Sequence, residues 1–311
     1  MSFDRQTTVN SPTGAKLNLY SRRADGRARG VVQVNHGLAE HAARYDRFAD
    51  FLASRGFATY AQDHRGHGST KAPDAPLGRF ADKDGGDKVI ADVAAVHDLI
   101  ATEYPGLPVV AMGHSMGGMI CMNFLHTHSA RVAAGSIWNS DLTGGLVPRA
   151  ALAVLAFERM RLGSDVPSRI LPKITFQTWG KGIKGHKTLF DWLSHDEAEV
   201  AKYVADPLCG WDASISMWRD VFGFILNGAV ESRYSTMRRD LPLYLIGGDQ
   251  DPATNNGKAI EKLASRLKAM GFSNLNSKIY ADTRHETLNE LNRDQAMQEF
   301  GTWLDTIIPV A

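Results

Sequence analysis

The sequence predicts an α/β fold: a mostly parallel sheet covered by helices on both faces and interrupted by a long helical insertion. Three observations predict it. Short, continuously apolar runs alternate with segments of helical spacing, as parallel strands buried on both sides require. Several of those runs empty into loops rich in Gly and His. The rhythm stops between Leu142 and Arg239, a span too long for a simple crossover, and then resumes.

The elements follow in order. Lys16–Tyr20 alternates and suggests an antiparallel start, with Asp25-Gly26 as a turn signal. Val31–Val34 is a strand running into His36-Gly37. Ala42 to Arg55 reads as an amphipathic helix closed by Gly56. Phe57–Ala61 is a strand that empties into Asp63-His64-Arg65-Gly66-His67-Gly68. Val89 to Tyr104 has helical spacing, and Leu107 to Met112 is a buried strand leading to Gly113-His114-Ser115-Met116-Gly117-Gly118. A helix runs on through Leu125, and Val132–Trp138 is the next strand. After the insertion come a strand at Leu241–Ile246, a helix at Asn256–Met270, a strand at Asn276–Tyr280 and a closing helix at Asp294–Ile307. The division expected is core over 1–141, helical cap over 142–239, and core again over 240–311. The cap carries helical stretches at Arg149–Met160 and Ser216–Ser232, and four of the six Trp: 179, 192, 211 and 218. Around Val221–Leu226 apolar residues cover more than one face, which fits both a helix sandwiched against the core and a pocket wall.

Composition narrows the function. A chain of 311 residues with 43% hydrophobic and 22% charged residues folds around a sizeable core. Lys+Arg 35 against Asp+Glu 34 gives no basic excess for nucleic acid, and the short basic run Lys181–Lys187 lacks a recognition motif around it. The opening Met1-Ser2-Phe3-Asp4-Arg5 does not read as a secretory signal, and no apolar run reaches the roughly 18 residues of a spanning helix. Cys121 and Cys209 form no CxxC pair, so a cytoplasmic setting is expected, with peripheral membrane contact left open. Cys121 reads as a small buried apolar residue.

The chemistry centres on Gly113-His114-Ser115-Met116-Gly117, a G-x-S-x-G between a strand and a helix. The turn must be tight enough to present the Ser115 hydroxyl at the top of the sheet, and side chains at 113 or 117 would collide there. A serine hydroxyl needs a base. Of the later histidines, His126 and His128 lie late on the helix and His186 and His195 fall in the cap; His285 alone follows a late core strand. The acid that orients its ring is Asp251 or Asp249 in Gly247-Gly248-Asp249-Gln250-Asp251-Pro252, with Asp282 a weaker candidate; spacing alone favours Asp251 slightly. The developing oxyanion needs backbone N–H donors: Met116, and Leu38 in His36-Gly37-Leu38. His36, Asp63, Glu40, Arg44 and Arg65 read as loop-shaping residues, with an Arg65–Glu40 pair tying two loops together. His36, His41, His64 and His67 contain no H-x-H or H-E-x-x-H among themselves, so no metal or cofactor is expected.

These stretches, with Arg44-Tyr45, Ser69 and Arg284-His285-Glu286 followed by Leu288-Asn289-Glu290, resemble the monoacylglycerol lipase and lysophospholipase branch of the α/β-hydrolases, the serine aminopeptidase-like hydrolases. The resemblance implies about eight strands with a cap after the sixth. It also implies Ser115 as nucleophile, Asp251 over Asp249 as acid, His285 as base, and Leu38 and Met116 as oxyanion donors. The expected activity is a two-step acyl transfer on monoacylglycerol or lysophospholipid-like esters without a cofactor. Competing readings are a general short-chain carboxylesterase, a same-fold hydrolase of another class (C–C hydrolase, haloperoxidase or aminopeptidase) and a non-catalytic binding protein. The partner expected is a small-molecule or lipid ester, not nucleic acid; oligomeric state carries no sequence signal.

Overall fold

In the computed structural model, residues 3–309 are described; Met1 and Ser2, from the N-terminal stretch read above, lie outside them, as do Val310 and Ala311. Eight strands form one sheet: β1 (Arg5–Asn10), β2 (Lys16–Arg22), β3 (Gly30–Asn35), β4 (Phe57–Gln62), β5 (Val109–His114), β6 (Ala134–Trp138), β7 (Leu243–Gly248) and β8 (Leu275–Tyr280). Their order is β1-β2-β4-β3-β5-β6-β7-β8. β1 and β2 pair antiparallel, as do β2 and β4; the rest are parallel. This is the α/β-hydrolase fold with an inserted helical cap. The strands β3 to β7 are buried residue after residue, which is why they read as unbroken apolar runs.

The helices are α1 (Asp46–Ser54), α2 (Gly85–Glu103), α3 (Met116–His128), α4 (Leu146–Leu162), α5 (Leu171–Ile174), α6 (Phe176–Gly182), α7 (Glu197–Ala205), α8 (Ile215–Ala229), α9 (Lys258–Ala269) and α10 (Arg293–Ile307). Alternate strand residues feed two cores. Val32, Val110, Met112 and Ile246 pack with Phe48 and Leu52 of α1 and Phe300 and Leu304 of α10. Ala111, Ile137 and Leu245 face α2, α3 and α9 on the other side. Among the described residues no helix is long and apolar enough to cross a membrane.

The first hairpin and the first helix take particular forms. The hairpin between β1 and β2 turns at Ser11–Ala15, where Gly14 takes φ +84° and donates its N–H to the Ser11 carbonyl. The expected turn at Asp25-Gly26 is a bend in the connection from β2 to β3, with Gly26 at φ +89°. The helix read over 42–55 begins as a 3₁₀ turn, Ala42–Tyr45, before α1. There Arg44 and Tyr45 both turn inward to the Glu40 carboxylate.

The regular structure between β6 and β7 is helical apart from an isolated bridge between Pro167 and Ser214, with α4 lying on α8 and α8 lying on α2 and α3. Ser214 caps α8 by accepting the Met217 N–H, and Asp196 caps α7 by accepting that of Ala198. Both readings of the 221–226 stretch apply at once. Phe224 packs on Phe80 of the core, while Val221, Phe222 and Ile225 line a pocket. The parallel register aligns Asn35 with Gly113, His114 with Trp138, and Gly248 with Tyr280, so the loops after β3, β5, β6, β7 and β8 all open at one edge of the sheet, under the cap.

Candidate active site

The turn from β5 into α3 carries Ser115 at φ 55°, ψ −123°, a conformation that costs a non-glycine residue about 1–3 kcal/mol. Its neighbours impose that geometry. A Cβ on Gly113 would sit 2.1 Å from the Gly117 carbonyl oxygen, and one on Gly117 would sit 2.0 Å from the Asn35 carbonyl oxygen. The Ser115 backbone is also held from outside, its N–H donating to Trp138 O (2.8 Å) and its carbonyl accepting from Ser140 Oγ (2.7 Å).

His285 stands beside it on the loop after β8. Nε2 is 2.9 Å from Ser115 Oγ, and Nδ1 is 2.9 Å from Asp251 Oδ1. A carboxylate only accepts, so Nδ1 carries the proton and Nε2 is left to accept the serine hydroxyl. Asp251 is fully buried after β7. Its carboxylate also accepts Ala253 N–H, Asn139 Nδ2 and Thr254 Oγ1. Burial pushes this carboxyl up. The facing imidazole and the hydrogen bonds from His285, Asn139 and Thr254 outweigh burial, and the net shift is below the usual carboxylate range.

Of the competing acids, the Asp249 carboxylate accepts the Thr283 N–H (3.3 Å), and Asp282 is exposed and accepts from Gln250 Nε2 (3.2 Å). Neither reaches the imidazole. His126 packs on Tyr234 and His128 stacks on Phe124, both away from Ser115. Leu38 and Met116 line the pocket beside Ser115, and among the described residues neither backbone N–H donates to a protein acceptor.

The loop-shaping residues divide. His36 donates from Nδ1 to the Gly37 carbonyl (2.8 Å) and accepts the His64 N–H at Nε2 (2.9 Å). Asp63 accepts from Ala42 N, Ser69 N and Asn18 Nδ2, pinning the β4 loop to β2. The expected Arg65–Glu40 pair does not form. Arg65 turns the other way, into the interior, where Asp92 of α2 (2.9 Å) and the Phe80 carbonyl (3.0 Å) receive it. Glu40 bonds Arg44 and the Gly37 N–H instead. His64 and His67 pack against His36, and burial pushes both well below the usual imidazole range. Among the described residues one trio has ligand atoms close enough to meet a cation, His41, Asp206 and Cys209; none of them lines the pocket, and His41 Nε2 bonds Asp206 Oδ2 at 2.8 Å. Cys121 is wholly buried and its thiol is pushed up.

Several partners had no assignment from sequence: Asn139 and Thr254 behind Asp251, His114 behind His285, and the cap residue Trp192, whose ring lies 4.8 Å from that of His285. For Asn139 and His114 the sequence signal is polarity at a strand end; Thr254 and Trp192 carry none.

The pocket above Ser115 has a volume of about 720 Å³. Phe176, Trp179, Trp192, Trp218 and Phe222 make one region aromatic, and Asp141, Thr143, Asn255 and Lys262 supply polar groups elsewhere on its wall. The arrangement can present a serine hydroxyl to a base and enclose an apolar ligand with a polar end.

Comparisons with known proteins agree with this architecture. The family model "Serine aminopeptidase, S33" matches residues 26–292. The monoacylglycerol lipase of Mycolicibacterium smegmatis is 27% identical over 284 residues, 89% of this chain and 88% of its own. The monoglyceride lipase of Homo sapiens is 25% identical, over 90% of this chain and 83% of its own. A thermostable carboxyl esterase from Bacillus coagulans, solved in complex with glycerol, superposes with a TM-score of 0.87 at 25% identity, covering 99% of each chain. The chain belongs to the serine aminopeptidase S33 family and is an ester hydrolase of the α/β-hydrolase fold.

Proposed function

We propose that this enzyme hydrolyses single-chain lipid esters, monoacylglycerols first among them, by two-step acyl transfer at Ser115. The observation that carries the reading is the chain of contacts from Asp251 through His285 to Ser115 at the floor of a largely apolar pocket. His285 Nε2 takes the hydroxyl proton as Ser115 Oγ attacks the ester carbonyl carbon. The charge on the former carbonyl oxygen falls to the Leu38 and Met116 N–H groups. The alcohol then leaves with the proton from His285, and water repeats the sequence on the acyl-enzyme. Asp251 keeps the proton on Nδ1 and balances the imidazolium. We assign the cap to residues 142–239 and the core to 1–141 and 240–311.

The pocket wall supports an acyl chain beside a small polar alcohol, and relatives named monoacylglycerol or monoglyceride lipases support the same class. An aminopeptidase needs a free carboxylate for the substrate amine. Of the carboxylates on this wall, Glu40 and Glu286 are bonded to Arg44, and Asp141 accepts from Thr143. The pairing of Glu40 and Glu286 with Arg44 favours an ester. The test is kcat/KM against acyl length, with monoacylglycerols, short nitrophenyl esters and aminoacyl amides compared. About 0.8 kcal/mol per buried CH₂ corresponds to roughly fourfold per carbon until the pocket fills. A flat profile would leave a general short-chain esterase.

The cap's outer side supports peripheral contact with a lipid surface. On α4, Leu146 is 81% exposed, Val147 79% and Met160 77%, and the exposed charged side chains are Arg149, Arg159 and Arg161. Glu158, the acid of this helix, is buried against Ser168 and the Arg169 N–H. Such a face suits an anionic interface. Met160→Glu with Leu146→Glu is expected to abolish co-sedimentation with anionic phospholipid vesicles while hydrolysis of a soluble short ester is retained; equal sedimentation of variant and parent contradicts it.

A further inference from the structure

Beside Ser115 lies a buried set of charges that the acyl-transfer steps do not use. Glu40 and Glu286 contribute two carboxylates. Arg44 bridges them, with Nη1 2.6 Å from Glu40 Oε2 and from Glu286 Oε1, and Nη2 2.7 Å from Glu286 Oε2. Glu40 and Glu286 are almost wholly shielded from solvent, so one guanidinium against two carboxylates leaves a surplus negative charge in the interior. An unpaired buried charge is strongly disfavoured.

The balancing group is His114, the residue before Ser115. Its Nδ1 lies 3.4 Å from Glu40 Oε1, and its Nε2 lies 2.9 Å from the carbonyl oxygen of His285. A carboxylate and a backbone carbonyl both only accept, so this ring donates from both nitrogens, as only an imidazolium does. Burial pushes the His114 pKa down, but the hydrogen bond and charge of Glu40, with Glu286 and the His285 carbonyl, push it further up. Glu40 shows the converse: burial pushes it up, while Arg44 and His114 hold it well below the usual carboxylate range. With His114 charged, two cations meet two anions.

The set is wired to two loops of the site. Glu40 Oε1 also accepts the Gly37 N–H (2.6 Å), one peptide before Leu38, and the Tyr45 hydroxyl (3.0 Å). A Cβ at Gly37 would stand 2.7 Å from that same oxygen, so glycine is what lets the carboxylate approach. At the other end, His114 holds the backbone of His285, and the two rings are 4.9 Å apart. We propose that His114 is a positioning residue which works as an imidazolium, neutralising the Glu40–Arg44–Glu286 cluster and tying the loop of Leu38 to the loop of His285. This deepens the reading of the Ser115 site and, for its kinetic consequences, rests on it.

The titratable and charged groups facing His114 are Glu40, Arg44 and Tyr45 from the β3 side and His285 and Glu286 from the β8 side. Arg47 borders the same small void and pairs with Glu199 (2.6 Å). Because the folded pKa of His114 is raised, its contribution is complete below the usual imidazole value and is lost as pH rises through the folded value. Loss of the proton loosens both loops and is felt mainly in kcat, since the oxyanion donors act in the transition state.

The test has two arms on the full-length enzyme. Nitrogen-15 NMR of the histidine-labelled protein at pH 7.5 is expected to find both His114 ring nitrogens protonated. In kinetics, H114Q is expected to lower kcat about ten- to a hundredfold, the usual cost of losing an outer positioning partner, with a much smaller change in KM. It should also remove an alkaline fall in kcat that the parent shows. The double variant E40Q/H114Q restores charge neutrality and is expected to recover thermal stability lost in H114Q. A neutral His114 ring at pH 7.5, or H114Q matching the parent in kcat and pH profile, or a double variant less stable than H114Q, overturns the proposal. A parent enzyme inert toward every ester would defeat the functional reading instead, while the NMR arm would still report the charge on His114.

Discussion

Ser115→Ala is expected to lower kcat on a nitrophenyl acyl ester by roughly 10⁴–10⁶-fold, leaving only what the oxyanion donors and the pocket supply unaided. The effect is this large because the hydroxyl is the atom that forms the covalent bond, and no other hydroxyl lies at that position. The fold should be untouched. The elbow is held by backbone bonds from Trp138 and Ser140 and by the clashes that keep positions 113 and 117 glycine, none of which involves the Ser115 Oγ. Near-ultraviolet circular dichroism and the melting temperature, measured beside the kinetics, separate lost chemistry from lost structure. Activity within tenfold of the parent in a folded Ser115→Ala protein would remove the serine from the mechanism.

Asp251→Asn is expected to reduce kcat by about 10⁴-fold, the cost of presenting the imidazole in the wrong tautomer. Asp251 Oδ1 receives His285 Nδ1–H, and the side-chain amide that replaces the carboxylate can turn a donor toward the ring. Asp249→Asn and Asp282→Asn are expected to stay near the parent, since neither carboxylate touches the imidazole. Retained activity in Asp251→Asn with loss in Asp249→Asn would move the orienting role. The pH dependence follows from the depressed Asp251 pKa. Its contribution to stability is present above the ordinary carboxylate range and disappears as pH falls through the lower folded value. Asp251 thus remains ionised across the neutral range, and an acid fall in activity there does not report its protonation.

Much of this site is legible in the chain because its chemistry imposes local constraints. Gly113 and Gly117 mark the elbow since backbone atoms occupy the space of a side chain at both places. His285 stands out because the other late histidines lie on a helix or in the insertion. Strands β3 to β7 declare themselves because both their faces are buried. What stays hidden is pairing across distant elements. Arg65 was free on paper to choose among many carboxylates; it meets Asp92 because α2 lies beneath its loop, and that is a fact of packing. Asn139 and Thr254 carry no motif, and their bonds to Asp251 depend on β6 lying beside β7. Trp192 reaches His285 only because the cap folds back over the sheet edge. The Asp25-Gly26 signal does mark a bend, between β2 and β3, while the β1–β2 hairpin turns at Gly14 without such a dipeptide.

The central claim is that one hydroxyl, activated by His285, becomes acylated. The most direct measurement is peptide-resolved mass spectrometry after brief exposure to a fluorophosphonate probe at neutral pH. The account predicts a single stoichiometric adduct on the peptide containing Ser115, absent in Ser115→Ala and slowed in Asp251→Asn. An unlabelled folded protein, or an adduct on another residue that persists in Ser115→Ala, would contradict it.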